Sequence, residues 1–217
     1  MAYCTGCGTA REAPQPTLTL PTEERRRVSV LFVDLVDSTL YAERSDPELV
    51  RRMQTAFYAT ARRVVRQYGG VVEKYIGDAV MALFGAPVAT ETDALRCVRA
   101  GLELQRALPE SVAAVDPQLR FRIGIATGEA LVDLAAARDG GQGIVVGDVV
   151  NTAARLQAVA PPGGVLVCGY TRALTRDAVH YQAQPPALLR GRSTPTEVWL
   201  ALEAVQRSEP EEDALPL

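Results

Sequence analysis

The chain is short of lysine: 22 of its 23 basic residues are arginine, and only Lys74 is not. It has one histidine, His180, which stands in no motif and is expected to be structural or superficial, so chemistry resting on a histidine base is excluded. Positive charge is not in excess. The formal net charge is -3 and the pI about 5.4, with arginines scattered among acids, so there is no basic stripe for nucleic acid. No apolar run approaches the roughly 18 residues of a membrane span, and the opening MAYCTGCGTAREAP carries no apolar signal segment. A cytoplasmic protein with neither nucleic acid nor membrane as partner is expected. A second cysteine pair is also missing. Cys4 and Cys7 form one CxxC, half of a four-ligand zinc site, which is expected to be a non-functional remnant; completion by another chain and redox chemistry are the alternatives. Cys97 and Cys168 fall in a helical and a strand pattern, where reduced, buried thiols are expected.

What is present suffices for a core: 217 residues, 47% hydrophobic, with no internal repeat. Residues 1–24 and 204–217 lack sustained periodicity and read as a flexible N-terminal segment and an acidic disordered tail, leaving one domain over 25–203. VSVLFVDL reads as a buried strand that ends on Asp34. Ser45-Asp46-Pro47-Glu48 is a helix start, followed by Leu49, Met53, Phe57, Ala61, Val64 and Tyr68 on one face and a stop at Gly69-Gly70. VVEKY and AVMALFG form a hairpin around Ile76-Gly77-Asp78, and Thr92 to Leu108 is a second helix with Ala94, Val98, Leu102 and Gln105 on one side. LRFRIGIATG alternates as a strand. The order β-α-β-β-α-β predicts an α+β, ferredoxin-like antiparallel sheet with both helices on one face. A hairpin arm near Asp139-Gly140-Gly141, a helix from about Asp148 to Val159, a strand VLVC and late strands near Leu188 and Glu197 to Leu202 complete the expectation.

Asp34 and Asp78 end or border apolar strands, where a lone carboxylate is costly. A shared hard divalent cation such as Mg²⁺ would compensate both; turn or capping roles are the plain alternative.

Four stretches in order, FVDLVDST (32–39), EKYIGDAVMALFG (73–85), RIGIATGE (122–129) and GDVVNTAARL (147–156), resemble the class III adenylate/guanylate cyclase catalytic domain. The resemblance covers about residues 27–202 and implies the nucleotide cyclase fold, a ferredoxin-like core with an additional C-terminal helix and strands. It implies ATP as substrate and a homodimer with shared active sites. Asp34 and Asp78 match the metal-binding aspartates, with the Leu35 carbonyl as a further ligand, for two Mg²⁺ or Mn²⁺ ions per site. One ion of the family activates the ribose 3′-hydroxyl and the other holds the triphosphate. Backbone N–H groups of Val36, Asp37, Ser38 and Thr39 are expected to cradle phosphates. Asn151 and Arg155, four apart on one helix face, match the pair that orients the ribose and takes charge at the α-phosphate. Arg190 stands where the family usually has a lysine toward the terminal phosphates, and Lys74 matches the residue that recognises the purine.

Two departures qualify the match. Ile144 stands where the family usually has Asp or Thr pairing with Lys74, and isoleucine cannot accept a hydrogen bond. Asp37 stands where glycine is frequent and adds a carboxylate beside the metal loop. The resemblance thus implies an adenylate cyclase in intracellular signalling, with guanylate cyclase activity left open; the rival is a weak or inactive cyclase-homology domain serving as a nucleotide-binding, dimerising regulatory module.

Overall fold

Strand β3 (Glu23–Leu35) has residues Val28 to Val33 buried without a break, so the sheet to which it belongs is covered on both faces. The computed structural model describes residues 23–139, 144–191 and 193–205, and a two-residue ladder of β1 (Ala2–Tyr3) with β2 (Ala10–Arg11). Cys4, Cys7, Arg192 and residues 206–217 lie outside the described residues.

After β3 come α1 (Ser38–Arg44), α2 (Pro47–Gln67), the hairpin β4 (Val71–Ile76) and β5 (Ala79–Phe84), α3 (Asp93–Val112) and the long strand β6 (Phe121–Asp133). Then follow α4 (Leu134–Asp139), β7 (Val145–Val146), α5 (Asp148–Val159), β8 (Val165–Cys168), α6 (Gly169–Thr175), β9 (Val179–Ala183) and β10 (Val198–Ala204). The sheet runs β4-β5-β3-β6-β8-β10-β9, with β7 beside β6; β6 and β8 are parallel and the other neighbours antiparallel. This is the expected α+β cyclase-like fold, with β3 central between β5 and β6.

Alternation along β3 divides the core. Leu31, Val33 and Leu35 pack with α2 and α3 on one face, while Val28, Val30 and Phe32 pack with α4 and α5 on the other. Each such fully buried side chain contributes about 1.5–3 kcal/mol. Helix α2 starts as expected: the Asp46 side chain accepts from Glu48 N–H and Pro47 opens the first turn. Its inner face holds Met53, Phe57, Ala61 and Val64, but Leu49, in the first turn, is 38% exposed. In α3 the stripe is Ala94, Cys97, Val98, Gly101, Leu104 and Leu108, so the expected Leu102 and Gln105 flank it.

Cys97 and Cys168 are free and buried. β3 begins at Glu23, opposite Asp133, two residues ahead of the expected domain start. The expected strand near Leu188 is reduced to one bridge between Ala187 and Thr196.

Candidate functional site

Asp34 lies on β3 opposite Ala79 of β5 and opposite Arg122 of β6. Ala79 follows Asp78 of the hairpin turn, so register alone brings the two aspartates to the same end of adjacent strands. The turn is anchored from α2, where the Tyr58 hydroxyl donates to the Gly77 carbonyl. Burial raises the Asp34 carboxyl to about 6, and the neighbouring Asp78 charge adds to that rise. Arg122, 3.7 Å from Asp34 Oδ2, and the Gln157 Nε2–H donor at 3.0 Å pull in the opposite direction.

This is an incompletely compensated pair of acidic groups. Among the described residues no cluster of three His, Cys, Asp or Glu side chains forms a metal site, so any cation would rest on two carboxylates and backbone or substrate oxygen. Two half-buried carboxylates in mutual repulsion match a hard, oxygen-ligated divalent ion, with the Leu35 carbonyl as the remaining candidate donor.

The loop from Val36 to Thr39 leads into α1. Val36 N–H donates to the Arg120 carbonyl at 2.9 Å, which removes it from the expected phosphate cradle. Asp37 is exposed and left-handed, with φ 53 and ψ 32, and its side chain makes no cap hydrogen bond. A glycine is easily accommodated at such a backbone, and Asp is one of the few other residues that tolerates it.

Helix α5 has two chemically distinct sides. Gln157 is 9% exposed and turns inward to Asp34. Asn151 is exposed and Arg155 half-buried, one turn apart on another face. An added Cβ at Gly191 would sit 3.5 Å from the Arg155 guanidinium, which puts the exposed Arg190 turn beside Arg155. Among the described residues, no hydrogen bond or ion pair joins Lys74, Asn151 or Arg155 to Asp34 or Asp78 in the same chain.

Lys74 lies on β4 with its ammonium 3.2 Å from Glu73. Ile144 requires a correction. Its side chain is 1% exposed and packed in the α5-side core, so it is a packing residue and not a wall of a nucleotide pocket. Its polar contacts are made by the backbone alone: the N–H donates to the Glu73 carboxylate at 3.2 Å and the carbonyl accepts from Asp133 N–H at 2.8 Å. His180 is exposed on β9, away from these groups.

Sequence reasoning missed Gln157, Arg122 and Glu73. Gln157 had a signal: it is a polar residue on the stripe of Val149, Ala153 and Leu156 that the helical period assigns to the core. Arg122 had none before the register was known.

Residues 20–202 match the family described as Adenylate and Guanylate cyclase catalytic domain. Adenylate cyclase 1 of Rhizobium meliloti (strain 1021) is 31% identical over 188 residues, covering 84% of this chain and 28% of that protein. An uncharacterized protein of the same strain is 35% identical over 181 residues, covering 82% of this chain and 18% of its own length. The chain therefore spans less than a third of these relatives. Among solved structures, the adenylyl cyclase CyaB from P. aeruginosa superposes with TM-score 0.76 at 24% identity, covering 85% of this chain and 97% of that one. The guanylyl cyclase Cya2 superposes with TM-score 0.76 at 28% identity, covering 87% and 96%.

Proposed function

Because this chain belongs to the adenylate and guanylate cyclase catalytic domain family, we propose that it converts ATP to 3′,5′-cyclic AMP and pyrophosphate in active sites shared by two copies of itself. The observation that carries this reading is the pairing of Asp34 and Asp78 at the ends of β3 and the β4–β5 turn, where burial and mutual repulsion call for a divalent cation.

In the reaction the ribose 3′-hydroxyl gives its proton to solvent or a substrate phosphate oxygen, its oxygen bonds to the α-phosphorus, the bond from that phosphorus to the β-bridging oxygen breaks, and pyrophosphate leaves. Asp34, Asp78 and the Leu35 carbonyl would hold two Mg²⁺ or Mn²⁺ ions, whose charge would acidify the 3′-hydroxyl and neutralise the triphosphate. The backbone at Asp37, Ser38 and Thr39 faces the phosphates, without Val36. Asn151 orients the ribose, and Arg155 takes charge that develops around the α-phosphate. Arg190, on the turn beside Arg155, extends the cationic surface toward the terminal phosphates. Lys74 donates to the purine.

The opposed sides of α5 support the two-chain site. Gln157 turns inward to its own chain's Asp34 while Asn151 is exposed, so Asn151 and Arg155 are available to a partner's carboxylate pair. Equal mixing of Asp34→Ala and Asn151→Ala proteins, each inactive alone, gives half heterodimers with one intact site, hence about a quarter of wild-type activity. Chromatography for cyclic AMP after incubation with ATP and Mn²⁺ is the readout. Absence of any recovery sinks the shared site; nucleotide binding without turnover under Mg²⁺ and Mn²⁺ favours the regulatory module instead.

The burial of Ile144 favours a second reading of substrate choice, in which GTP is also used. With no acceptor side chain at 144, an ammonium can donate either to adenine N1 or to guanine O6. Parallel rates with ATP and GTP decide between the two.

A further inference from the structure

Glu73 and Lys74 are neighbours in a strand, and in a regular strand their side chains would point to opposite faces. Here they form an ion pair, with Lys74 Nζ 3.2 Å from Glu73 Oε2. The register explains it. Val72 pairs with Ala82 and Lys74 with Met81, so Glu73 is the additional residue of a β-bulge between them. A bulge bends the strand and re-aims the side chain it carries.

The Glu73 side chain is 0% exposed, whereas that of Lys74 is 34% exposed. The carboxylate therefore lies beneath the ammonium and is not open to a ligand. Its other oxygen, Oε1, accepts the Ile144 backbone N–H at 3.2 Å. A buried carboxylate is costly unless charge and hydrogen bonds compensate it, and these contacts are part of that compensation. Ile144 in turn accepts from Asp133 N–H at 2.8 Å, and the chain continues through β7 and Gly147 into α5. One carboxylate thus joins the only lysine of the chain to the segment that leads into the helix of Asn151 and Arg155.

We propose that Glu73 is the positioning residue for base recognition, fixing the direction in which Lys74 donates and tying β4 to the segment before α5. This rests on the reading of Lys74 as the residue that meets the purine. Glu73 does not touch the base. It removes rotamer freedom from a long, flexible side chain before the nucleotide arrives, and a lysine fixed in advance discriminates between a ring nitrogen and a displaced carbonyl oxygen better than a mobile one.

The test is equilibrium titration with the α,β-methylene analogues of ATP and GTP in Mn²⁺, which does not depend on turnover. Glu73→Gln keeps the volume and an acceptor for the Ile144 N–H but loses the charge that holds Lys74. It is expected to lower the ATP-analogue to GTP-analogue affinity ratio about tenfold while GTP-analogue binding changes less than twofold. Equal losses for both nucleotides, or none, alongside a collapse of the ratio in Lys74→Ala, overturn the role of Glu73 and leave Lys74 as the base reader. A wild-type ratio near one, or a ratio unchanged in Lys74→Ala, overturns the base reading itself and this inference with it. A second measurement needs no variant at position 73. Reductive ¹³C-methylation of the wild-type chain labels only Lys74 and the amino terminus; slow side-chain motion of the Lys74 signal before nucleotide is expected, and a freely mobile signal overturns the proposal.

Discussion

Gln157 of α5 donates to Asp34 of β3 at 3.0 Å, so a helix that presents Asn151 outward also steadies a carboxylate inside its own chain. The bond favours the ionised form of Asp34, the form a cation needs. Gln157→Leu keeps the volume and removes the donor. A hydrogen bond to a charged group is worth about 1.5–3 kcal/mol, and partial solvent screening at Asp34 reduces this, so the Mn²⁺ concentration for half-maximal activity is expected to rise about fivefold. Activation curves at constant free ATP measure it; an unchanged curve removes Gln157 from the site.

Asp34 also sets a pH dependence with a definite sign. Its carboxyl is raised from 3.8 to about 6, first by burial and then by Asp78. The folded chain thus holds a proton that the unfolded chain releases. The stability this contributes is fully present below about 4, is lost as pH rises through about 6, and changes little beyond. In cation-free buffer, Asp34→Asn is therefore expected to have the higher thermal midpoint at pH 7, with the advantage shrinking as pH falls from 6 to 4. Cation binding goes the other way, because the ion must displace that proton, and should weaken about tenfold per pH unit below 6. Thermal unfolding with and without Mn²⁺ from pH 4 to 8 tests both slopes; parallel curves for the two proteins refute the raised carboxyl.

Strong periodicity made α2 and α5 legible, and α5 runs from Asp148 to Val159 as the pattern implied. What stayed hidden has little periodicity to detect. Helix α6 is seven residues long and is held by polar contacts: Thr171 donates to Thr127 at 3.0 Å, and Thr175 Oγ1 bonds back to the Thr171 carbonyl at 2.8 Å. Arg172 of the same helix lies over the Trp199 ring at 4.2 Å, an attachment that no hydrophobic pattern anticipates. At the site, the aspartates and the α5 pair were visible as motif positions, whereas Glu73, Arg122 and Gln157 acquire meaning only through a bulge, a register and a helix face. The burial of the Ile144 side chain in the core is likewise something that spacing along the chain does not reveal.

Asp37 separates backbone strain from charge. A left-handed residue other than glycine costs roughly 1–2 kcal/mol, and glycine gives back part of that gain through its greater freedom when unfolded. Asp37→Gly and Asp37→Ala both delete the carboxylate, but only alanine leaves a Cβ at the φ of 53 with no polar side chain to offset its cost. Stability of the glycine variant is expected within about 1 kcal/mol of wild type, and alanine about 1 kcal/mol below it. If the Asp37 charge repels the triphosphate, both variants lower the KM for ATP by a similar factor. A fall in only one assigns the effect to backbone geometry instead.

The sharpest packing constraint lies at Gly124 of β6. A Cβ there would stand 2.1 Å from the Gln157 backbone nitrogen and 2.4 Å from the Ala153 carbonyl oxygen, both main-chain atoms of α5 that cannot rotate away. Gly128, on the same strand, would meet only the Val149 side chain, at 3.3 Å. Gly124→Ala must therefore push the helix off the sheet, while Gly128→Ala needs a shift of a few tenths of an ångström. Overpacking of the first kind is expected to cost about 3 kcal/mol, a fall of roughly 6–12 °C in thermal midpoint for a chain of this size. Because α5 carries Asn151, Arg155 and Gln157 together, cyclase activity of Gly124→Ala at temperatures where it remains folded is expected to fall at least tenfold, since small misplacements of reacting groups are costly. Gly128→Ala should lose less than about 1 kcal/mol and keep most of its activity. Equal behaviour of the two variants would mean that the close seating of α5 on β6 does not position the helix that carries Asn151 and Arg155.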